Sequence, residues 1–286
     1  MLTSGDIQYE PPSHKTFALT KYVVSMMSGD AAFYTEIMDS VLEELRERHD
    51  QRVPVAEIAR MFVGFRNEAL RQRAENAILG PLGLKSESFL QQQQFMDAQL
   101  VDKLATELLN FDVPGIDVII AGVDVRSQIY VMVDGDLSCN NAIGFASVGS
   151  GSRHAESQFM LARHSWTSPL AETLFLTYAA KKRSEVAPGV GRDTDMIMIH
   201  PDETGITEIN PEIITRLEAV YDDLRLKEEA NFEAASRKVV SYVEEITASA
   251  GAASQEEAPA RQPSSVDQKA SPARRKGRSD DKAQEG

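Results

Sequence analysis

The chain has 286 residues, 42% of them hydrophobic and 26% charged, with a formal net charge of −14 and a single cysteine. That length suits a sizeable buried core, while no apolar run approaches the roughly 18 residues of a membrane helix and no basic-then-apolar leader opens the sequence. Composition therefore argues against a membrane-spanning helix, an internal disulfide and a cysteine metal cluster, and a cytoplasmic location is expected. Charge is unevenly spread: beyond Gly251 there are 7 Lys/Arg and 6 Asp/Glu, leaving 23 basic against 38 acidic residues before it. Such an acidic body disfavours nucleic acid as a partner. The stretch 249–286, rich in Ala, Ser, Gln and Pro and nearly free of large apolar residues, cannot offset its ordering entropy and is expected to be disordered. Its cluster Arg274, Arg275, Lys276 and Arg278 reads as part of a solvated, mixed-charge tail.

Ser4-Gly5-Asp6 is a turn signal close to the start. Tyr22 to Met27 is an apolar run of strand length; after Gly29 the period changes, and Phe33, Ile37, Val41 and Leu45 recur on a helix face. Val55 to Leu79 predicts a second helix, antiparallel to the first, and Ser86 to Leu109 a third. The character turns to β after Pro114, with strands expected at Asp117 to Val123, Gln128 to Val133 and Asn141 to Val148, forming an antiparallel meander. Cys139 falls in the intervening turn and has no histidine partner nearby in sequence, so it is not read as a nucleophile. Gly149-Ser150-Gly151-Ser152 then leads into a helix, and Ser168-Pro169 caps another. A hairpin turning at Glu203-Thr204-Gly205 precedes Asn210-Pro211 and a final helix to about Ile246. This order predicts an α+β fold of sheets between helical layers.

The run from Ile119 to Met160, with its strand ending Gly122-Val123-Asp124 and its Gly149-Ser150-Gly151-Ser152 loop, resembles proteasome β-subunits and the bacterial HslV peptidase. The likeness extends back through Lys15-Thr16-Phe17 and Ser28-Gly29-Asp30, and the interval between the two needs no gap. What the resemblance implies is a four-layer αββα sandwich of antiparallel sheets, the N-terminal-nucleophile hydrolase fold, entered partway along its second strand and so N-terminally truncated. It covers about residues 1–210. The expected organisation is a proteasome-like domain at 1–227 with a helical insertion at about 81–113, a helical extension at 228–248 and the tail at 249–286.

The resemblance also implies roles. Lys15, Gly29 and Ser150 take catalytic positions, and Thr3, Met27 and Ala31 positions near substrate; Gly5 would be a turn glycine. In such a site the nucleophile is an N-terminal threonine whose own α-amine is the base. A nearby ammonium, here Lys15, lowers the amine pKa toward neutrality. Gly29 aims a backbone N–H at the developing oxyanion, and Ser150 hydrogen-bonds near the amine. The nucleophile is expected upstream of Met1, by roughly one hairpin's length. Two positions depart from the family: Lys182-Arg183-Ser184-Glu185-Val186-Ala187 offers Ser184 and Ala187 where it has aspartate and serine, with Glu185 or Asp193 as substitutes.

Three functions follow as expectations. The first is a threonine-type peptidase subunit hydrolysing peptide bonds inside a homo-oligomeric ring, with peptide or unfolded protein as substrate and an ATPase as partner. The second is a non-catalytic structural subunit of such a ring, and the third an amidohydrolase of the same architecture acting on small amides. Thr3 itself, one strand away from the chemistry, is not favoured as nucleophile. No cofactor is expected, and no metal, since His14, His49, His154, His164 and His200 lack the His-Glu-x-x-His spacing.

Overall fold

The computed structural model describes residues 15–48 and 52–249 in full, and the backbone alone of residues 2–4, 7–9 and 250–256. The chain is mixed α and β with antiparallel sheets, as expected at that coarser level. Strands β1 (Leu2–Ser4) and β2 (Ile7–Tyr9) form a hairpin of their own, with Ser4 opposite Ile7. The turn signal at Gly5-Asp6 lies outside the described residues. This two-stranded ladder precedes the strand that Lys15 leads into.

The main sheet has five strands in the order β3 (Thr16–Thr20), β4 (Val23–Gly29), β5 (Ile116–Val123), β6 (Ser127–Val133) and β7 (Asp136–Cys139). Residues alternate across a strand, so Val23, Ser25 and Met27 face helices α1 (Ala31–Glu47) and α2 (Val55–Ala74), as do Ile116, Val118 and Ile120 of β5. Phe33, Tyr34, Ile37, Val41, Val55, Ile58 and Phe62 fill the space between. The Ser25 and Tyr34 hydroxyls, both buried there, satisfy each other at 2.6 Å. On the opposite side Val24, Ile119 and Val131 are also buried. Both faces of the sheet are therefore covered, which accounts for the near-continuous apolar run of β5.

Two elements differ from the sequence reading. The meander's third strand is Asp136–Cys139, while 141–148 is irregular. The Asn141 side chain accepts the Ile129 amide at 2.7 Å, so a side-chain oxygen takes the place of a strand partner and the ladder ends. The helix expected over 86–109 is two, α3 (Ser86–Gln92) and α4 (Ala98–Leu109). Asp97 accepts the amides of Gln99 and Leu100, and that cap restarts the helix. Around Leu79, Phe89 and Leu104 this segment has its own small core.

Helices α5 (Ser152–Leu161) and α6 (Leu170–Ser184) pair through Ala155, Phe159, Leu176 and Ala180. Ser168 does not cap α6; its hydroxyl accepts the Ser165 amide within the preceding turn. Strands β8 (Ile197–Ile199) and β9 (Ile206–Glu208) form the closing hairpin, held to the β3–β4 turn by Lys21 Nζ and Glu203 at 2.8 Å. Helix α7 (Pro211–Glu256) starts where Asn210 Oδ1 accepts the Glu212 amide. It runs past residue 249, where disorder was expected; residues 257–286 lie outside the described residues. By contacts the chain divides into two units, Met1–Arg225 and Leu226–Gly286. No helix among the described residues is long and apolar enough to cross a membrane.

Candidate functional site

The C-terminal end of β4 is where distant parts of the sequence meet. Gly29 has φ +103°, a conformation that L side chains rarely adopt. A Cβ there would lie 2.2 Å from the Gly115 carbonyl oxygen, so only glycine lets the backbones of β4 and the approach to β5 come this close. Asp30 follows at once, donating its N–H to that same oxygen at 3.0 Å and accepting the Phe33 amide on its carboxylate at 2.7 Å. One residue thus ends the strand and caps α1.

Lys15 stands across from this end. Its carbonyl accepts the Met27 N–H at 3.2 Å, continuing the register in which Thr16 faces Met26. Backbone N–H groups alternate between the two edges of a strand. Met27 donates toward β3 and Asp30 toward Gly115, so the intervening Gly29 N–H is directed to the β3 edge, two residues beyond the Met27 N–H that Lys15 accepts. The Lys15 side chain is exposed. Met27, 8% exposed, belongs to the main core, and Ala31, the first residue of α1, packs partly buried against it.

The Gly-Ser-Gly-Ser loop reaches the same place from the other face of the sheet. Gly149 has φ +91°, and a Cβ on it would meet the Ser28 hydroxyl at 2.7 Å. Gly151 is buried against the last turn of α6: its added Cβ would lie 2.6 Å from Ser184 Cβ. Between these glycines Ser150 is exposed, while the loop is tied by Ser152 N–H to Gly149 O at 3.0 Å and by Ser147 Oγ to Ser152 O at 2.9 Å. Two close approaches thereby fix a short loop between β4 and α6 and leave its serine outward.

Ser184 and Ala187 are buried behind this loop. The Ser184 hydroxyl donates back to Lys181 O at 2.6 Å, and Ala187 N–H donates to Ser184 O at 3.1 Å. Neither side chain is an acid. Glu185 is held by Lys181 at 2.8 Å and Lys182 at 3.1 Å; partial burial raises its pKa, but these ammonium hydrogen bonds outweigh that and hold it below the usual carboxylate range. A carboxylate paired in this way is poorly placed to stand in for the missing aspartate. Asp193 lines a separate cleft of about 690 Å³ together with Tyr178, Glu218 and Tyr221. None of Lys15, Gly29 and Ser150 lines that cleft.

The structure therefore brings Lys15, Met27, Gly29 and Ala31 to one strand end and sets the Ser150 loop beside it, at Ser28. Thr3 is not joined to them: it pairs with Gln8 on the separate hairpin, and its side chain, like Gly5, lies outside the described residues. Sequence reading missed Asp117, which pairs with Ser28 across β4 and β5. Burial raises its pKa, and the Asp134 charge raises it further. The signal was an acid inside an apolar strand. His14 and His49 lie outside the described residues, among which no group of three metal-ligating side chains occurs. His164 packs its ring on Phe159 at 5.3 Å instead. No family model matches the chain, and no curated protein matches its sequence.

Proposed function

We propose that this chain is a subunit of a proteasome-like, threonine-type peptidase that hydrolyses peptide bonds within a homo-oligomeric ring. The supporting observation is the meeting of Gly29, Lys15 and the Ser150 loop at one end of β4, by backbone approaches that glycine alone permits. In this reading the Gly29 N–H stabilises the oxyanion, and the Lys15 ammonium lowers the pKa of a neighbouring α-amine. Ser150 orients that amine. Met27 and Ala31 form the floor of the pocket for a substrate side chain, small and flexible enough for an apolar residue. Helices α1 and α2 packed on one face of a five-stranded antiparallel sheet supply one outer layer and one sheet of the αββα arrangement; its second sheet and second outer layer belong to this proposal. The nucleophile of this reading is an N-terminal threonine encoded ahead of residue 1, because the α-amine of that residue is the general base. The compartment is the cytoplasm, and an ATPase feeds the ring with unfolded chains.

One observation favours a second reading, a ring subunit without catalysis. Ser184, which takes the position of the family's aspartate, turns its hydroxyl to its own helix. The deciding experiment expresses the protein from its own locus with upstream DNA, then measures intact mass, N-terminal residue and hydrolysis of fluorogenic peptides. A mature threonine ahead of Met1 with peptidase activity supports the first reading. A start at Met1 or Leu2 with no hydrolysis leaves the structural subunit.

A further inference from the structure

Within the unit Leu226–Gly286, helix α7 carries an apolar face that no other described residue of the unit covers. Every described side chain from Glu229 to Ser249 is exposed, among them Phe232 at 74% and Ile246 at 68%. Phe232, Ala235, Ser236, Val239, Val240 and Val243 line a groove of about 410 Å³ along the helix. Phe232, Val239 and Ile246 recur at intervals of seven, with Ala235 and Tyr242 between them. This is the a and d pattern of a helix that buries one seam against another helix. The large exposed side chains lie along that stripe rather than scattered.

We infer that this face pairs with the same face of a second copy of the chain, the two α7 helices running antiparallel about a twofold axis. Two features select that occupant and direction. Facing a and d positions in the antiparallel register puts Val239 against Tyr242, Ala235 against Ile246 and Phe232 against Ser249, a large side chain meeting a smaller one in each layer. A parallel pair would stack Ala235 on Ala235 and Tyr242 on Tyr242, leaving a gap beside a bulge. The flanking charges agree. In the antiparallel pair Lys238 lies beside Glu245 of the other copy, and the twofold axis repeats the contact. In the parallel pair Lys238 faces Val243 and no opposite charges meet. A helix with this stripe stays water-exposed only at a cost, which a second copy removes.

Site-directed disulfide trapping in the full-length chain tests this pairing. In a Cys139→Ser background, Ala235→Cys and Ile246→Cys chains carrying different tags are co-expressed and mildly oxidised. The expected result is a mixed-tag disulfide dimer, with little dimer when either variant is made alone. Adding Lys238→Glu to both chains lowers trapping by about fivefold, two ion pairs being lost, and adding Glu245→Lys as well restores it. Dimers formed by Ala235→Cys alone would overturn the antiparallel register, and the absence of any trapped dimer would overturn the pairing. Both positions are exposed, and far-UV circular dichroism checks that the helix is intact. A ring built through other surfaces does not place these two positions in contact, so the outcome is independent of the peptidase reading.

Discussion

Replacing Gly29 by alanine is the sharpest test of the strand end. The added Cβ would sit 2.2 Å from Gly115 O, and 3.0 Å from both Gly115 C and Ile116 Cα. Ordinary contact is reached only after the two backbones separate by about 1 Å, against the packing of β4 on β5. The positive φ costs an L-residue about 1–2 kcal/mol, and overpacking a fixed site adds about 1–3 kcal/mol. A loss of roughly 2–5 kcal/mol is expected, a large part of the 5–15 kcal/mol typical of a folded protein. Urea titration followed by circular dichroism, and separately by Trp166, the single tryptophan and a reporter of the first unit, gives the midpoint shift. Gly64→Ala is the control. That glycine is inside α2 with nothing within 4 Å of its added Cβ, so alanine there should raise the midpoint by about 0.5–1 kcal/mol equivalent. Equal midpoints for Gly29→Ala and wild type would refute the claim that close backbone approach requires glycine at this position.

Three further outcomes follow. Tyr34→Phe leaves the buried Ser25 hydroxyl only the weak Met38 sulfur acceptor at 3.9 Å and should cost about 1–3 kcal/mol in a denaturation series. Burial pushes the Tyr34 pKa up to about 12, so the folded state holds that proton more tightly. Its stabilisation is complete below pH about 10 and is lost as pH rises through about 12, and this alkaline loss should shrink in Tyr34→Phe. Asp124→Ala removes the acceptor of the Val55 amide and the Gln128 side chain, which joins the β5–β6 turn to α2, and should cost about 0.5–2 kcal/mol at neutral pH. Partial burial raises the Asp124 pKa, but hydrogen bonds from Val125, Gln128 and Val55 outweigh it and lower the value overall. The wild-type advantage over Asp124→Ala is therefore present above pH about 4 and lost as pH falls through the folded-state pKa. On the peptidase reading, Lys15→Ala in the protein expressed with its upstream DNA should lower peptide hydrolysis by on the order of 100-fold, with a far smaller midpoint shift than Gly29→Ala. Unchanged hydrolysis would remove Lys15 from the chemistry.

Local signals made several elements legible in the sequence. The change of period at Gly29, the Gly205 hairpin turn and the Asn210-Pro211 helix start all depend on contacts within a few residues, so composition and spacing report them directly. Elements whose ends depend on a competing side chain were not legible. Asn141 ends the meander by occupying the Ile129 amide, and Asp97 splits one predicted helix into two by capping backbone amides; in each case a polar side chain displaces a backbone partner that periodicity alone assumes. The candidate site divides in the same way. Residue types at Lys15, Gly29 and Ser150 could be read along the chain, with the resemblance supplying their roles. That Gly149 rests on Ser28 and Gly151 on Ser184 was decided by tertiary structure, because van der Waals contact between segments so distant in sequence leaves no periodic trace. Folding set those distances, and it also showed Glu185 already committed to two lysines, a pairing that settles its charge and that spacing alone left open.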